Sequence, residues 1–465
     1  MKKFLLLPAA FLVTAVALFY AWSDWSGARE LRAVRAELEQ KKESIRMEDF
    51  IPPPVPDDQN VAAAPVFWEL FSEGDSRLSK LSPPWKGASR QVAGESLPVR
   101  IAKEIDPAFV GDEASAGRAV LDSLAPSAPV LAEVRDALRR PKVCWPLDYS
   151  NGVAMSLPQI GPAMKISKML QARALAELAA GVPEKAFEDA NTLLALAEVS
   201  ASPRLLIGEL VRISILSAAI DVINDGLCRS AWSDSELAAF SECLAQKNLP
   251  QQMADALRVD RAAAQQVDWS HWKSFVFPNN ENQIPWTDLG PKIVWWLRPA
   301  GWTSRDRAHH LLLMQRMIEA TGDGSGISVA ELQNLESSGK NISLWSGLTT
   351  PYTYVVLPAI PGAVKNAALA QTLLESTRAA CAIERYRLAN GRLPSNLADL
   401  VPVFLAGVPK DPITGAPLLY KPSPERSFVI YGVGWNQVDD GGSVKSQHIH
   451  RPQDQADWGI SVSMR

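Results

Sequence analysis

The hydrophobic pattern is strongest at the front of the chain. Met1-Lys2-Lys3 precedes an uncharged apolar run from Phe4 to Trp22, which stops at Ser23-Asp24. As a helix rising ~1.5 Å per residue, that run is about 28 Å long, close to the hydrocarbon thickness of a bilayer. Lysines in front and Asp24 behind would place the N-terminus in the cytoplasm, and Tyr20, Trp22 and Trp25 would form an interfacial aromatic belt. Pro8 falls in the first turns, where it costs little. The pattern predicts a transmembrane signal-anchor over 1–25: single-pass in the inner membrane, with the bulk of the chain on the periplasmic side. A cleaved signal peptide ending at Ala15-Val16-Ala17 is the rival reading, although Leu18-Phe19-Tyr20 carries the apolar run past that site.

Beyond this run the period changes. Leu31, Val34, Leu38 and Ile45 recur at helical spacing within a charged stretch, which predicts an amphipathic stalk helix. Pro52-Pro53-Pro54-Val55-Pro56 then forbids helix and favours an extended spacer, so 26–60 reads as stalk and spacer. Over 61–265 the pattern is helical. Ile160 to Gly181 is followed by a break at Val182-Pro183-Glu184 and a returning helix from Ala186 to Ser200. Ser233 and Glu236 make a capping box. Leu175 to Gly181 with Ala186-Phe187 resembles one tetratricopeptide-like hairpin, and the whole predicts a bundle or short solenoid of helical hairpins. In 266–360, Trp269, Trp272, Trp286, Trp295, Trp296 and Trp302 lie among Pro, Asn and Gly. They serve as a surface for sugar or peptide stacking, as a skirt that lies on the membrane, or as pins for an irregular segment against the helical body.

From 361 to 465 the expectation is a small α+β module. A helix from about Ala363 ends at Asn390-Gly391, with Pro394 preventing its continuation. Val408-Pro409-Lys410-Asp411-Pro412 and Gly415-Ala416-Pro417-Leu418-Leu419-Tyr420 follow. Ser427 to Tyr431 alternates like a strand, and Gly432 to Gly442 is an acidic, Gly-rich loop. This order of motifs resembles the globular domain of the type II secretion major pseudopilins. Combined with the anchor and Pro-rich spacer, it also resembles a family of uncharacterised exported, membrane-anchored proteins of planctomycete and verrucomicrobial type, which implies no activity. In pseudopilins the acidic loop binds calcium. That likeness implies a calcium site built from the Val433 carbonyl, the Asn436 side chain, and the Asp439 and Asp440 carboxylates, with an amide where an acid is usual. The prepilin-peptidase pattern is absent at Lys3-Phe4-Leu5, and a long helical body separates the apolar run from the module, which argues against incorporation into a pilus.

Composition narrows the function. With 465 residues the chain exceeds the size at which one core keeps growing, so two or three domains are expected. A formal charge of −4 gives no basic stripe, which argues against nucleic acid as a partner. Cys144, Cys228, Cys243 and Cys381 lack zinc spacing; Cys228 and Cys243 either pair in an oxidising compartment or stay reduced in the core. His448-Ile449-His450, with Asp454 or Asp457, is a weak metal motif. His309-His310 faces two sides of a helix, and His271 reads as packed between tryptophans. Thr321 to Gly326 lacks the EF-hand ligand spacing. No Gly-x-Ser-x-Gly elbow, phosphate loop, HExxH or dinucleotide fingerprint occurs. Mainly helical and without a catalytic set, the chain is expected to be an envelope scaffold that binds a protein partner, with no catalytic residue assigned. An accessory of a secretion-like machine and an exported hydrolase are the alternatives.

Overall fold

The computed structural model describes residues 2–71, 76–86, 95–266, 298–322, 326–340, 349–356, 360–423, 427–444 and 456–464. Helices dominate, at 66%, and the β content is one small antiparallel sheet near the C-terminus. Trp269, Trp272, Trp286, Trp295, Trp296, His271, His448, His450 and Asp454 lie outside the described residues.

The expected anchor and stalk form one continuous helix, α1 (Lys2–Gln40). Among the described residues no helix is long and apolar enough to cross a membrane. The transmembrane signal-anchor is therefore corrected, and with it the single-pass inner-membrane placement and the attachment through the N-terminal helix. The apolar run from Phe4 to Trp22 is only the front half of α1, and the rest of that helix carries Asp24, Arg29, Glu30 and Arg32. Past the run, α1 turns into a docking surface for α10 (Ala300–Thr321). Leu31, Val34 and Leu38 bury against Ala308 and Leu311. Glycine permits the closest approach: a Cβ on Gly27 would stand 2.0 Å from the Gly301 oxygen, and one on Gly301 would stand 2.0 Å from the Ser23 oxygen. Asp24 secures the crossing by accepting the Gly301 N–H at 2.6 Å.

The helical body follows as α2 (Leu97–Ile105), α3 (Glu113–Leu124), α4 (Ala128–Ala137), α5 (Ile160–Ala180), α6 (Pro183–Ser200), α7 (Leu206–Cys228), α8 (Asp234–Ala245) and α9 (Leu249–Gln266). The expected hairpin of α5 and α6 forms. Gly181 takes a left-handed conformation (φ 79°) that ends α5, and Pro183 opens α6, where its missing N–H is harmless. Ser233 and Glu236 close the expected capping box of α8. Pairs α3–α5, α5–α6 and α6–α7 pack in succession. Glu113 is the first residue of α3, and Arg229 behind α7 ties to its carboxylate at 2.6 Å.

After α10 come α11 (Val329–Lys340), α12 (Pro351–Val356) and the long α13 (Ile360–Asn390). Most of α13 is buried, because Ala and Leu from Ala363 to Ile383 face α7, α8 and α9. One apolar cluster therefore runs from Val61 to Val462. The sheet is β1 (Leu419–Ser423), β2 (Ser427–Gly432) and β3 (Trp458–Ser463), in the order β1-β2-β3. Phe428 pairs with Val462 and Ile430 with Ile460, and this apolar face lies on α13. The alternation Trp458, Ile460, Val462 marks β3, a strand that the sequence reading above does not include.

Candidate functional site

The four residues carried over for calcium fall on the single loop after β2, and hydrogen bonds within the module engage their polar groups. Asp439 Oδ1 accepts from Tyr431 Oη at 3.2 Å and from Gly441 N at 2.8 Å. Asp440 Oδ2 accepts from Asn436 Nδ2 at 2.9 Å, while Asn436 Oδ1 accepts from Val438 N at 3.1 Å. Val433 donates its N–H to Asp411 Oδ2 at 3.0 Å. Among the described residues no group of three or more His, Cys, Asp or Glu side chains is placed to hold a metal.

Two buried carboxylates organise this loop, a role the sequence assigned to neither. Asp411, from the Pro-x-Asp-Pro motif, is 3% exposed and accepts from Ile413 N and Val433 N. Burial outweighs these bonds and raises its pKa. Asp457 is fully buried and accepts from Asp440 N at 3.2 Å and Gly442 N at 2.7 Å. A Pro-bounded aspartate and an aspartate just ahead of an alternating strand are the only signals that could have marked them.

Other candidates resolve into packing. His310 is buried in edge contact with Tyr352, ring centroids 5.5 Å apart. Burial, assisted by the Arg261 charge, pushes its pKa down to about 3, so the ring stays neutral. Trp302 is buried against Phe19 of α1 and acts as a pin. Glu384 is not a solvated surface charge: it is 2% exposed and grips Arg387 through two bonds of 2.6 and 2.7 Å. All four cysteines are free, so Cys228 and Cys243 do not pair.

Charges folded into the helical body are the feature that sequence reasoning missed. Arg173 on α5 meets Asp189 on α6 through two 2.6 Å bonds, and Arg135 of α4 adds a third at 3.3 Å. Glu43, beyond α1, receives Arg258 at 3.2 Å and the fully buried Arg261 at 2.7 Å. Arg378 meets Glu375 at 2.8 Å, and Arg385 reaches from α13 to Asp234 on α8 at 2.8 Å. Between α6 and α8 lies a cavity of about 300 Å³ lined by Leu194, Ala195, Glu198, Cys243, Gln246 and Lys247. Glu198 there binds Lys247 and Arg212.

Comparison with known proteins adds no relative: no protein-family model, no curated protein and no solved structure matches the chain.

Proposed function

We propose that the chain is a non-catalytic helical scaffold that binds a protein partner. The observation that carries this reading is how its buried charges are used. Arg173–Asp189, Arg212–Glu209, Arg261–Glu43 and Arg387–Glu384 are paired and hydrogen-bonded, each fastening helix to helix, turn to turn or loop to body. A catalytic acid or base needs access to a reacting atom, and these groups spend their bonds on one another. Exposed apolar surface supplies the means of contact. Phe11 is 77% exposed, Leu12 65%, Leu18 66% and Trp22 56%, more than an isolated surface residue requires. A long helix followed by an antiparallel sheet and an acidic loop also supports a pseudopilin-like C-terminal module.

Site-specific photo-crosslinking tests the reading. A photo-reactive residue at Leu18 is expected to trap one discrete protein. The same residue at Val110, exposed but remote in sequence, serves as the control. Equal trapping at both positions would overturn the proposal.

A further inference from the structure

The cavity between α6 and α8 contains a charge arrangement that suits an external ligand. Two cations converge on one anion. Lys247 Nζ and Arg212 Nη2 both reach the Glu198 carboxylate, Arg212 at 3.3 Å. The partners are buried very unequally. The side chains of Lys247 and Arg212 are 6% and 4% exposed, whereas that of Glu198 is 46% exposed. Both cations are thus fixed inside the fold, and the group that neutralises Lys247 is the half-solvated one.

The cations have reasons to stay in place. Arg212 keeps the buried Glu209 as a second partner at 3.4 Å, so it stays held if Glu198 departs. Lys247 follows the C-terminal end of α8, where the helix dipole favours a cation. Its backbone is pinned from α13: Gln371 Nε2 donates to the Lys247 oxygen at 3.3 Å, and Gln371 Oε1 accepts from Leu249 N at 2.9 Å. The Glu198 carboxylate is already half in water, so a ligand carboxylate that takes over Lys247 leaves no buried cation stranded.

We infer that this cavity binds a small organic carboxylate, which takes the place of Glu198 on Lys247, with the Arg212 charge behind it. The ligand's carboxylate would receive the charge-assisted bond from Lys247 that Glu198 now receives. Leu194 and Ala195 offer an apolar wall for the attached carbons, and the Gln246 amide lines the rim. At ~30 Å³ per water molecule the space exceeds that of a few waters and admits an acid with several carbons. Glu198 acts as an internal competitor and holds the affinity down until ligand arrives. The same chemistry is offered by a free acid and by the C-terminus of a peptide. Cys243 lines the cavity, so its thiol reports occupancy.

Calorimetry with succinate, and with a short alanine peptide carrying a free or an amidated C-terminus, tests the inference on the full chain. Removing the competitor in Glu198→Gln is expected to tighten binding roughly two- to fivefold. Lys247→Gln should abolish it, and binding should slow alkylation of Cys243 relative to Cys228. Peptide binding that requires the free C-terminus identifies the peptide source; succinate binding alone identifies a free acid. Unchanged or weaker affinity in Glu198→Gln, no binding to that variant by either probe, or wild-type binding in Lys247→Gln would each overturn the inference. If Lys247→Gln fails to fold, as judged by circular dichroism, the affinity of Glu198→Gln and the protection of Cys243 decide.

Discussion

Gly27 and Gly301 meet backbone to backbone, where a single added methyl on either side would overlap a main-chain oxygen at 2.0 Å. This contact sets how closely α1 lies on α10, and it lets Leu31, Val34 and Leu38 reach their pockets. Gly301→Ala is expected to open the crossing and to cost about 1–3 kcal/mol, the usual range for overpacking. Hydrogen exchange read by mass spectrometry should show faster exchange in α1 beyond Asp24 with little change in α5–α7. Unchanged protection would show that the crossing tolerates a methyl.

The clasp beyond α1 should be more sensitive. Arg261 is fully buried, with Nη2 shared between Glu43 and the Ser44 carbonyl and Nη1 on Gln315. Glu43→Ala leaves that charge without its carboxylate, a change that costs ~3–5 kcal/mol for a buried pair. Denaturant melts should show this loss, with a smaller one for Glu43→Gln, which keeps a hydrogen-bond acceptor.

Glu177 predicts a pH dependence with a defined sign. It is 6% exposed, its Oε2 has no hydrogen-bond partner, and burial together with the Asp189 charge pushes its pKa up to about 8 from an ordinary 4.5. A raised carboxyl pKa means that the folded state holds the proton more tightly than the unfolded chain does. Its contribution is therefore fully present below pH 4.5 and is lost as pH rises through 8. Glu177→Gln removes that titration. The wild type should lose stability relative to the variant between pH 5 and 8 in urea melts, and parallel curves would contradict the assignment.

The acidic loop carries a quantitative expectation for calcium. Asp439, Asp440 and Asn436 would have to release bonds to Tyr431, Gly441 and Val438 before ligating an ion. Calcium uptake by the full chain is therefore expected no tighter than ~10⁻⁴–10⁻³ M, the weak end of protein sites. It should vanish in Asp439→Ala/Asp440→Ala. Micromolar affinity would show that the hydrogen-bonded loop is not the binding-competent form.

The helical body was legible because its signals are local. Gly181 and Pro183 punctuate the α5–α6 turn, Ser233 and Glu236 cap α8, and Asn390-Gly391 ends α13. Periodicity and capping act over one turn, so the residues display them directly. The anchor was misread for the same reason: hydropathy reports Phe4 to Trp22 but not that α1 continues to Gln40 and crosses Gly301. The charge pairs were invisible because Arg173–Asp189 joins two helices, Arg385–Asp234 spans 151 positions and Arg261–Glu43 spans 218. In sequence, such residues look like solvated helix charges. Glu384 looks like one in sequence, yet it is 2% exposed. The role of Asp411 and Asp457 was hidden similarly, since what they hold is main chain brought to them by the sheet.

The central claim is that buried charges hold this protein together rather than act on a substrate, and the Arg173–Asp189 pair tests it most directly. A double-mutant cycle with Arg173→Met and Asp189→Asn, followed by urea denaturation, should show that each single change costs ~3–5 kcal/mol. The double variant should recover much of that loss, because neither charge is left stranded. If Asp189→Asn unfolds at the same urea concentration as the wild type, the pair is not structural and the scaffold account fails at its base.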